Sequence, residues 1–416
     1  MNDSQTLRLG FHYHIPACQQ NGGWYVPGYL GLFLDSLADR CQKLVCFLHN
    51  YIPTGPDRLD HRLDHPHLEV VPIGPHGGVP QRLLHAARHC RPLRQRRHEL
   101  DAVLLRGPSP LLPAMGAAAG AVPLALLLVG DYQAGVGDAA RPLWRRELDR
   151  LFSTWNKYGQ DRLARRSLTL VNSRKLFRQY QPIAARLVET RTTTLSRADF
   201  YAREDTCQSP PYRLLYTGRI ERAKGVLLLV EALALLVSRG EDLRLDLVGW
   251  PEKGDPILDE LAALASARGV GERVTYHGYR PLGPELFQFY RQADLYVLAS
   301  ISNFEGFPRT IWEALAHSLP VVATRVGSIP DYLTGAAELV DPGDPPALAE
   351  GILRLLRNPD LRMGNIRNGV RLARQNTLDI RAVEIIQEIA AWVDANTSNG
   401  RLKLLPSLEE TNQDSR

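Results

Sequence analysis

The chain has few cysteines, and none of them is paired in sequence. Five occur among 416 residues, with no C-x-x-C pair and no spacing typical of zinc ligands. Neither a redox pair nor a structural zinc site is therefore indicated. An odd, scattered set of thiols fits a reducing compartment. The five are Cys18, Cys41, Cys46, Cys90 and Cys207.

The sequence also lacks a recognisable targeting or membrane-spanning segment. Residues 1–6 are polar and contain no apolar core of a signal peptide. Residues 107–130 carry no charge, and their length could cross a bilayer. Because four prolines and two internal glycines interrupt this stretch, a helix over 111–119 and a buried strand over 124–129 explain it better. We therefore expect a cytoplasmic protein.

Acidic residues are scarce in the first half of the chain. Residues 1–200 hold 26 Lys and Arg against 16 Asp and Glu, whereas residues 201–416 hold 24 against 29. Ten of the twelve histidines also lie before residue 200. This asymmetry indicates an anionic partner for the N-terminal half. Nucleic acid is not expected, because the sequence contains no recognisable nucleic-acid module.

Apolar strand-like runs alternate with amphipathic helical segments in both halves, which predicts an α/β fold with two doubly wound, Rossmann-like domains facing a cleft. The polar segment 203–212 contains Pro210-Pro211 and reads as the linker. We therefore predict an N-terminal domain over 1–205, a C-terminal domain over 206–380 and a disordered tail over 396–416. Strands are predicted over 7–13, 43–48, 68–72, 102–105, 124–129 and 168–172, and then over 213–217, 244–248, 274–277, 295–298, 321–324 and 337–340. Helices of the second domain are predicted over 225–239, 256–268, 284–292 and 309–317.

Two glutamates frame the segment 303–314, which reads Asn-Phe-Glu-Gly-Phe-Pro-Arg-Thr-Ile-Trp-Glu-Ala. Proline suits a helix start, so we expect a turn that carries Glu305 and a helix that begins near Pro308 and carries Glu313. A rise of ~1.5 Å per residue puts the two carboxylates roughly 8–12 Å apart. That separation is too large for a shared proton but suits a nucleotide sugar, and the helix start offers N–H groups to its diphosphate. The alternative is two glutamates at a chance spacing.

A second candidate site follows the strand predicted over 213–217 and reads Gly218-Arg-Ile-Glu-Arg-Ala-Lys-Gly. Arg219 can fork onto phosphate oxygens, and Lys224 supplies a mobile point charge. A cationic pair at a helix start opposes the helix dipole unless an anion is bound. The alternative is a basic helix start on the surface.

These two motifs resemble the E-x7-E and G-R-x4-K-G segments of retaining glycosyltransferases with the GT-B fold, most closely glycosyltransferase family 4 (glycosyl transferases group 1). The resemblance implies that Glu305 binds sugar hydroxyls, that Glu313 binds the ribose, and that Arg219 and Lys224 hold the donor diphosphate. It also implies a C-terminal helix, about 381–395, that crosses back onto the first domain. Further donor contacts are expected from Gly218, Gly306, Phe307, Pro308, Arg309 and Thr310.

Smaller matches extend the resemblance. Gly22-Gly23 after the first strand matches a loop that closes over the diphosphate, although a plain turn is the alternative. Gly249 matches a strand-ending glycine near the donor, and Tyr279 lies in the segment that lines the nucleobase. Family members often carry a histidine after the strand matching 124–129. Asp131 stands in that region here and is a candidate for the acceptor side, or for a turn cap.

Metal chemistry is not indicated. The metal-dependent glycosyltransferases usually show Asp-x-Asp, which this chain lacks. Two cations and a helix dipole would then stabilise the leaving diphosphate, so we expect neither a metal nor another cofactor. His12 and His14 share a strand face, but two ligands are fewer than the usual four. His277 is expected to be a packed, hydrogen-bonded residue.

The stretch Gln81–Arg106 contains seven arginines with interleaved leucines. It predicts either a basic amphipathic element that contacts anionic lipid headgroups, or a solvated helix face with core-facing leucines. Altogether the sequence predicts a retaining, metal-independent glycosyltransferase that moves a sugar from a nucleotide-diphospho-sugar to an acceptor sugar, lipid-linked or small-molecule. Its expected place is glycan, glycolipid or glycosylated-metabolite biosynthesis, in the cytoplasm or at the inner face of the membrane. A non-catalytic subunit that binds nucleotide sugar is the alternative.

Overall fold

The structure is a computed structural model that describes residues 7–52, 58–130, 143–302 and 306–396. The chain divides into two compact units. Unit 1 comprises Met1–Asn172, Leu176–Thr190 and Asp379–Arg416, and unit 2 comprises Ser173–Lys175 and Arg191–Leu378.

Unit 1 is built on a sheet whose central part is parallel, in the order β6-β4-β1-β7-β8-β9-β10. The order of strands along the chain reverses between β1 and β7, which is the topological switch point of a doubly wound sheet. An extension of β2, β3 and β5 continues from the end of β4 with antiparallel pairings. The strands are β1 (Arg8–His12), β2 (Ala17–Gln20), β3 (Gly23–Val26), β4 (Lys43–Tyr51), β5 (His61–Leu63), β6 (Leu68–Pro75), β7 (Ala102–Gly107), β8 (Leu124–Leu128), β9 (Leu168–Val171) and β10 (Arg186–Glu189).

Helices cover both faces of this sheet because its strands alternate buried apolar side chains between two cores. Leu9 and Leu104 point to the core that contains Leu30 of α1, whereas Val103 points to the core that contains Met115 of α5. The helices are α1 (Gly28–Ala38), α2 (Val79–Leu84), α3 (Ala86–His89), α4 (Arg91–Arg96), α5 (Leu112–Ala119), α6 (Leu143–Ala164) and α7 (Arg174–Tyr180).

Unit 2 is a six-stranded, fully parallel sheet in the order β13-β12-β11-β14-β15-β16. This is the Rossmann order, with its switch point between β11 and β14. Side-chain caps on Asp344 and Asn358 begin two of its helices. The strands are β11 (Tyr212–Ile220), β12 (Leu243–Pro251), β13 (Val274–Tyr276), β14 (Leu295–Leu298), β15 (Val321–Thr324) and β16 (Glu338–Val340). The helices are α8 (Val226–Ser238), α9 (Ile257–Ala267), α10 (Pro284–Gln292), α11 (Arg309–Ala316), α12 (Ile329–Leu333), α13 (Pro345–Arg357) and α14 (Pro359–Arg374).

The last helix, α15 (Leu378–Asn396), belongs to unit 1. Its apolar side chains recur at helical spacing, and Ile385 and Ile389 lie in the same core as Leu9. Glu388 also accepts a 2.6 Å hydrogen bond from Arg186 of β10. The predicted disorder over 396–416 falls, from residue 397 onward, outside the described residues.

The division between the units differs from the linker expected over 203–212. The chain passes into unit 2 at Arg191, and the following segment is tied to that unit by polar side chains. Arg203 donates hydrogen bonds to four backbone carbonyls, among them Tyr290 and His317. Asp205 accepts two from Arg362, at 2.6 and 2.7 Å. The stretch 203–212 therefore resembles a linker in sequence, because it is polar and contains prolines, although its charged side chains form hydrogen bonds within unit 2.

The stretch Gln81–Arg106 is not one amphipathic element. It breaks into α2, α3, α4 and a short 3-10 turn before β7. Arg82 is buried while Leu84 is 79% exposed, the reverse of the expected burial pattern. Arg96 is held by Glu69 and Glu99. None of the helices in the described part of the chain combines the length and apolar character that a bilayer crossing requires.

Candidate functional site

The carboxyl ends of β11 and β12 approach each other closely in unit 2. Gly218 of β11 pairs with Gly249 of β12. A Cβ atom on Gly249 would lie 1.7 Å from the Gly218 carbonyl oxygen, so no other residue fits there. The Gly249 N–H donates to the Gly278 carbonyl at 2.9 Å, which fixes the loop after β13 beside the same edge.

Two basic side chains lie in the loop that follows Gly218. Arg219 is exposed, and within the described residues it forms an ion pair with the carboxylate of Glu221, at 3.0 Å. Lys224 ends a 3-10 turn whose backbone is closed by a bond to the Glu221 carbonyl. Because an exposed ion pair contributes little, a phosphate can replace Glu221 as the partner of Arg219 at small cost. Glu221 therefore contacts a predicted site residue, which the sequence did not indicate.

The basic loop lies beside the segment that connects β14 to α11. The Ile301 N–H donates to the Ala223 carbonyl at 3.0 Å. The hydroxyl of Tyr296, on β14, donates to Thr310 Oγ1 at 2.7 Å and lies 3.3 Å from the Thr217 carbonyl. These contacts bring the end of β11 and the start of α11 together at the switch point of unit 2.

The start of α11 is arranged as an uncapped helix N-terminus. Pro308 occupies the N-cap position without a side-chain cap, and the helix begins at Arg309. First-turn N–H groups of this kind attract anions. The side chain of Phe307 is buried against Trp312, with ring centroids 4.3 Å apart, and therefore packs in the core. Gly306 leads into this turn, whereas Glu305 lies outside the described residues.

Glu313 lies inside unit 2. Its Oε2 accepts a 2.7 Å bond from the Tyr290 hydroxyl, and its Oε1 accepts a 2.9 Å bond from Thr194. Burial raises the pKa of this carboxyl, and the two hydrogen bonds oppose that change. Two donors do not fill the acceptor capacity of a carboxylate, but Glu313 is only 4% exposed, so its contact with ribose stays a prediction.

The buried hydroxyls around Glu313 were not found from the sequence. Thr217 Oγ1 and the Tyr290 hydroxyl are 2.6 Å apart, which extends the hydrogen-bonded chain from Thr194 through Glu313 to β11. The only signal in the sequence is the occurrence of Tyr and Thr at positions that otherwise read as buried. The network holds α11 against the strand that carries the basic loop.

The remaining predicted donor residue of unit 2 lies near Gly249. The ring of Tyr279 packs edge-on against Trp250, with centroids 5.4 Å apart. His277 bonds Asp246 at 2.7 Å and packs against Phe289, as expected of a structural histidine. The nucleobase role of Tyr279 stays a prediction.

In unit 1, Gly22 and Gly23 lie in a tight β-hairpin. Gln20 pairs with Gly23 across β2 and β3, and the two connecting residues, Asn21 and Gly22, have φ of 48° and 74°. Positive φ at both positions is typical of a two-residue type I′ turn, which by itself accounts for Gly22. The phosphate role of the two glycines stays a prediction. Asp131 lies outside the described residues.

No group of three histidine, cysteine or acidic side chains in the described ranges could hold a metal ion. His12 is instead buried, with its Nδ1 atom 2.8 Å from the Phe47 carbonyl. His14 lies against Tyr13, with ring centroids 4.3 Å apart. The expected absence of a metal stays a prediction.

The chain is similar to glycosyltransferases in sequence over its second half. Residues 211–358 match the family described as Glycosyl transferases group 1. A D-inositol 3-phosphate glycosyltransferase from Arthrobacter sp. (strain FB24) is 41% identical over 119 residues, which are 28% of this chain and 27% of the relative. Another from Catenulispora acidiphila is 36% identical over 197 residues, 45% of each chain. An alpha-D-kanosaminyltransferase from Streptomyces kanamyceticus is 34% identical over 155 residues, 36% of this chain and 37% of the relative. The chain thus matches less than half the length of each relative.

Solved structures extend the likeness to almost the whole chain. Sucrose-phosphate synthase from Thermosynechococcus elongatus superposes with a TM-score of 0.69 at 18% identity, covering 94% of this chain and 100% of that one. HepE from Anabaena, in complex with UDP and glucose, gives a TM-score of 0.65 at 20% identity and the same coverage. The fold is therefore the GT-B type, with two Rossmann-like parallel-sheet domains.

Proposed function

We propose that this protein is a retaining glycosyltransferase of family 4 that moves a sugar from a nucleotide-diphospho-sugar to an acceptor hydroxyl. The observation that carries the proposal is the switch point of unit 2, where Arg219 and Lys224 lie beside the uncapped start of α11. Ligands of doubly wound sheets bind at such points. The match of residues 211–358 to Glycosyl transferases group 1 supports the same function.

The residues of this site suit the departure of a diphosphate. Arg219 offers a forked donor and Lys224 a point charge, and the first N–H groups of α11 add uncharged donors. Fixed donors aimed at developing negative charge lower the barrier without reorganising. We assign Glu305 to the sugar hydroxyls and Glu313 to the ribose. A leaving-phosphate oxygen then serves as the base, so no nucleophilic side chain and no metal is required.

The relatives suggest a donor and an acceptor to test first. HepE binds UDP and glucose, so a UDP-sugar is the first donor candidate. Several relatives are D-inositol 3-phosphate glycosyltransferases, so a phosphorylated cyclitol is the first acceptor candidate. We further propose that unit 2 binds the donor and unit 1 the acceptor, with Asp131 on the acceptor side.

A thermal-shift screen of UDP-, GDP-, ADP- and TDP-sugars tests the donor site, because a bound ligand stabilises by RT ln(1 + [L]/Kd). We expect one nucleotide class to raise the melting temperature. A transfer assay then separates the enzyme from the alternative, a non-catalytic subunit that binds nucleotide sugar. Glu305→Ala should retain UDP binding and lose transfer, whereas near wild-type turnover of this variant would contradict its assignment.

A surface of unit 1 supports peripheral contact with an anionic membrane. Leu151, Trp155 and Tyr158 are 68%, 59% and 63% exposed and recur at i, i+4 and i+7, so they form one stripe on α6. Arg162 and Arg165 continue the stripe and are exposed. Large exposed apolar side chains next to cations are typical of helices that lie in a membrane interface.

Further exposed arginines lie on helices in the same layer. The helix α6 packs against α5, and α5 lies next to α4. Arg91 and Arg94 of this layer are exposed, and neither has a carboxylate partner in the described residues. Each such cation near an anionic bilayer contributes ~1 kcal/mol. We therefore propose that this surface brings the enzyme to the inner face of the membrane, where lipid-linked acceptors of glycan or glycolipid synthesis lie.

A further inference from the structure

The carboxylate of Glu313 is held on both of its oxygens by hydroxyl groups of unit 2. The Tyr290 hydroxyl, on α10, donates to Oε2 at 2.7 Å, and the Thr194 hydroxyl donates to Oε1 at 2.9 Å. The last torsion of a glutamate side chain is broad, so a carboxylate on a helix can turn through many orientations. One donor on each oxygen removes this freedom and fixes the plane of the carboxylate.

Tyr290 is itself fixed by its surroundings. It is fully buried, and its ring lies on Tyr296 and on His317, with centroids 6.0 Å and 5.3 Å apart and interplanar angles of 27° and 23°. Thr217 Oγ1 lies 2.6 Å from its hydroxyl. Because Tyr290 gives its one hydroxyl proton to Glu313, Thr217 donates to Tyr290. These hydroxyls therefore point in sequence toward the carboxylate, which stabilises its ionised form.

Thr194 is fixed in a different part of unit 2. Its side chain is 2% exposed. The next residue is bonded on both sides, because the Leu195 N–H donates to Thr193 Oγ1 at 3.1 Å and the Leu195 carbonyl accepts from the Leu378 N–H at 2.7 Å. The two donors of Glu313 thus come from separate, independently anchored segments, as is typical of side chains that orient a binding group.

Two donors leave part of the Glu313 carboxylate available. A carboxylate has about four acceptor positions, so about one remains on each oxygen. Two hydroxyl groups on neighbouring carbon atoms match such a pair of positions. Under the proposed function, the ribose of the donor presents this diol as its 2′ and 3′ hydroxyls. Its recognition then depends on the orientation that Tyr290 and Thr194 impose on Glu313.

We propose that Tyr290 and Thr194 are positioning residues of the nucleotide site, which orient Glu313 toward the two ribose hydroxyls and thereby select ribonucleotides over deoxyribonucleotides. The proposal rests on the proposed function, because the ribose contact of Glu313 is assigned there. Both side chains act through Glu313 rather than on the ligand. A buried carboxyl that loses one of its two donors takes up a proton more readily and turns more freely, so it becomes a poorer acceptor.

The test is isothermal titration calorimetry of the full chain at pH 7.5 with UDP, 2′-deoxy-UDP and 3′-deoxy-UDP. We expect wild type to bind each deoxy compound about tenfold or more weakly than UDP, because a hydrogen bond to a charged group is lost. Tyr290→Phe and Thr194→Val each keep the shape of the side chain and remove its hydroxyl. Either variant should reduce this preference to about threefold or less, the value of a hydrogen bond to an uncharged group. Thr194→Ser retains a hydroxyl and should retain the wild-type preference.

Two controls separate positioning from a general effect on the fold. Tyr180→Phe removes the hydroxyl of a buried tyrosine in unit 1, where it accepts a hydrogen bond from Gln160, and should leave the preference unchanged. Glu313→Gln should reduce the preference, and adding Tyr290→Phe to it should reduce the preference no further. A general loosening of unit 2 would instead weaken all three nucleotides equally and leave their ratio as in wild type.

Circular dichroism shows which variants fold, and the two positions lie on separate segments, so either folded variant decides the outcome. A wild-type preference in folded Tyr290→Phe or folded Thr194→Val overturns the proposal, and so does a wild-type protein that binds UDP and both deoxy compounds equally. Sugar transfer is assayed in parallel. Loss of transfer with an intact preference for ribose would count against the proposed function alone, and transfer without such a preference would count against these positioning roles alone.

Discussion

The buried histidines of unit 1 should make that unit sensitive to acid. His12 and His49 are each 1% exposed, and the Nδ1 atoms lie 2.8 Å and 3.2 Å from the carbonyls of Phe47 and Gly74. Each Nδ1 therefore carries the proton of a neutral ring, and each Nε2 is buried without a partner among the described residues. Protonating either ring places an uncompensated charge inside the unit.

The magnitude follows from the shifted pKa values. Burial, as the largest cause, lowers the pKa of His12 from 6.5 to about 4 and that of His49 from 6.5 to about 3. Both folded pKa values lie below the unfolded value of 6.5. At a pH between the folded and the unfolded pKa, the unfolded chain therefore binds more protons than the folded chain. The two neutral histidines therefore cost no stability above pH 6.5, and the free energy of unfolding decreases as the pH falls from 6.5 toward 4. At pH 5 each histidine costs about 2 kcal/mol, or about 4 kcal/mol for the pair.

The free energy of unfolding of each unit can be measured separately by following methionine oxidation with hydrogen peroxide at increasing urea concentration. Met115 is buried in unit 1 and Met363 lies in unit 2, so the urea midpoint of each oxidation reports its own unit. The variant His12→Asn/His49→Asn keeps a side-chain N–H near the Nδ1 position and removes both titrations. Between pH 8 and pH 5, the free energy of unfolding at Met115 should fall about 4 kcal/mol further in wild type than in the variant.

The control replaces an exposed histidine, His98→Asn, and should leave the wild-type pH dependence unchanged. Met363 should give the same pH dependence in all three proteins. An identical fall at Met115 in wild type and in the double variant would refute the reasoning, because it would mean that these rings are not held neutral by burial.

Three other outcomes test the donor site and the membrane surface. Replacing Arg219 or Lys224 by Gln should weaken the binding of UDP by ~1.5–3 kcal/mol but leave the binding of uridine unchanged, because only phosphate contacts are lost. Equal losses of affinity for both ligands, measured by calorimetry, would show that the loop does not contact the phosphates. Transfer should persist in EDTA, since the proposed stabilisers are side chains and a helix start, and activity that disappears with chelator and returns with Mg²⁺ or Mn²⁺ would contradict this. Replacing Leu151, Trp155 and Tyr158 together by Ser should abolish co-sedimentation with anionic liposomes at low salt. If the wild-type protein does not co-sediment with such liposomes, the proposed membrane contact is wrong.

The parallel core of both sheets could be predicted from the sequence, whereas the hairpin extension could not. The strands β14 and β15 and the helix α10 have the predicted bounds, because each is a short apolar or amphipathic run between turn residues. The strands β2, β3 and β5 are three or four residues long and give no alternation to detect. The Asn21-Gly22 turn between β2 and β3 has the residues of a type I′ hairpin, but it follows the first strand and so also resembled a phosphate loop.

Side-chain partners far apart in sequence account for the rest. The spacing to Glu305 puts Glu313 on a helix, but its inward orientation depends on Thr194, which is 119 positions away. The segment around Arg203 reads as polar and exposed, yet its guanidinium is used by carbonyls 87 to 114 residues away. Periodicity reports local structure, and neither contact has a local signature.

The configuration of the transferred sugar tests the central claim most directly. UDP-α-glucose and other UDP-α-sugars are incubated with D-inositol 3-phosphate and with lipid-linked sugars, and proton NMR reads the anomeric coupling of the product. Retaining transfer predicts an α-linked product that forms in EDTA and is lost in Glu305→Ala. A β-linked product would contradict the retaining mechanism, and binding of UDP-sugar without any product would favour the non-catalytic alternative.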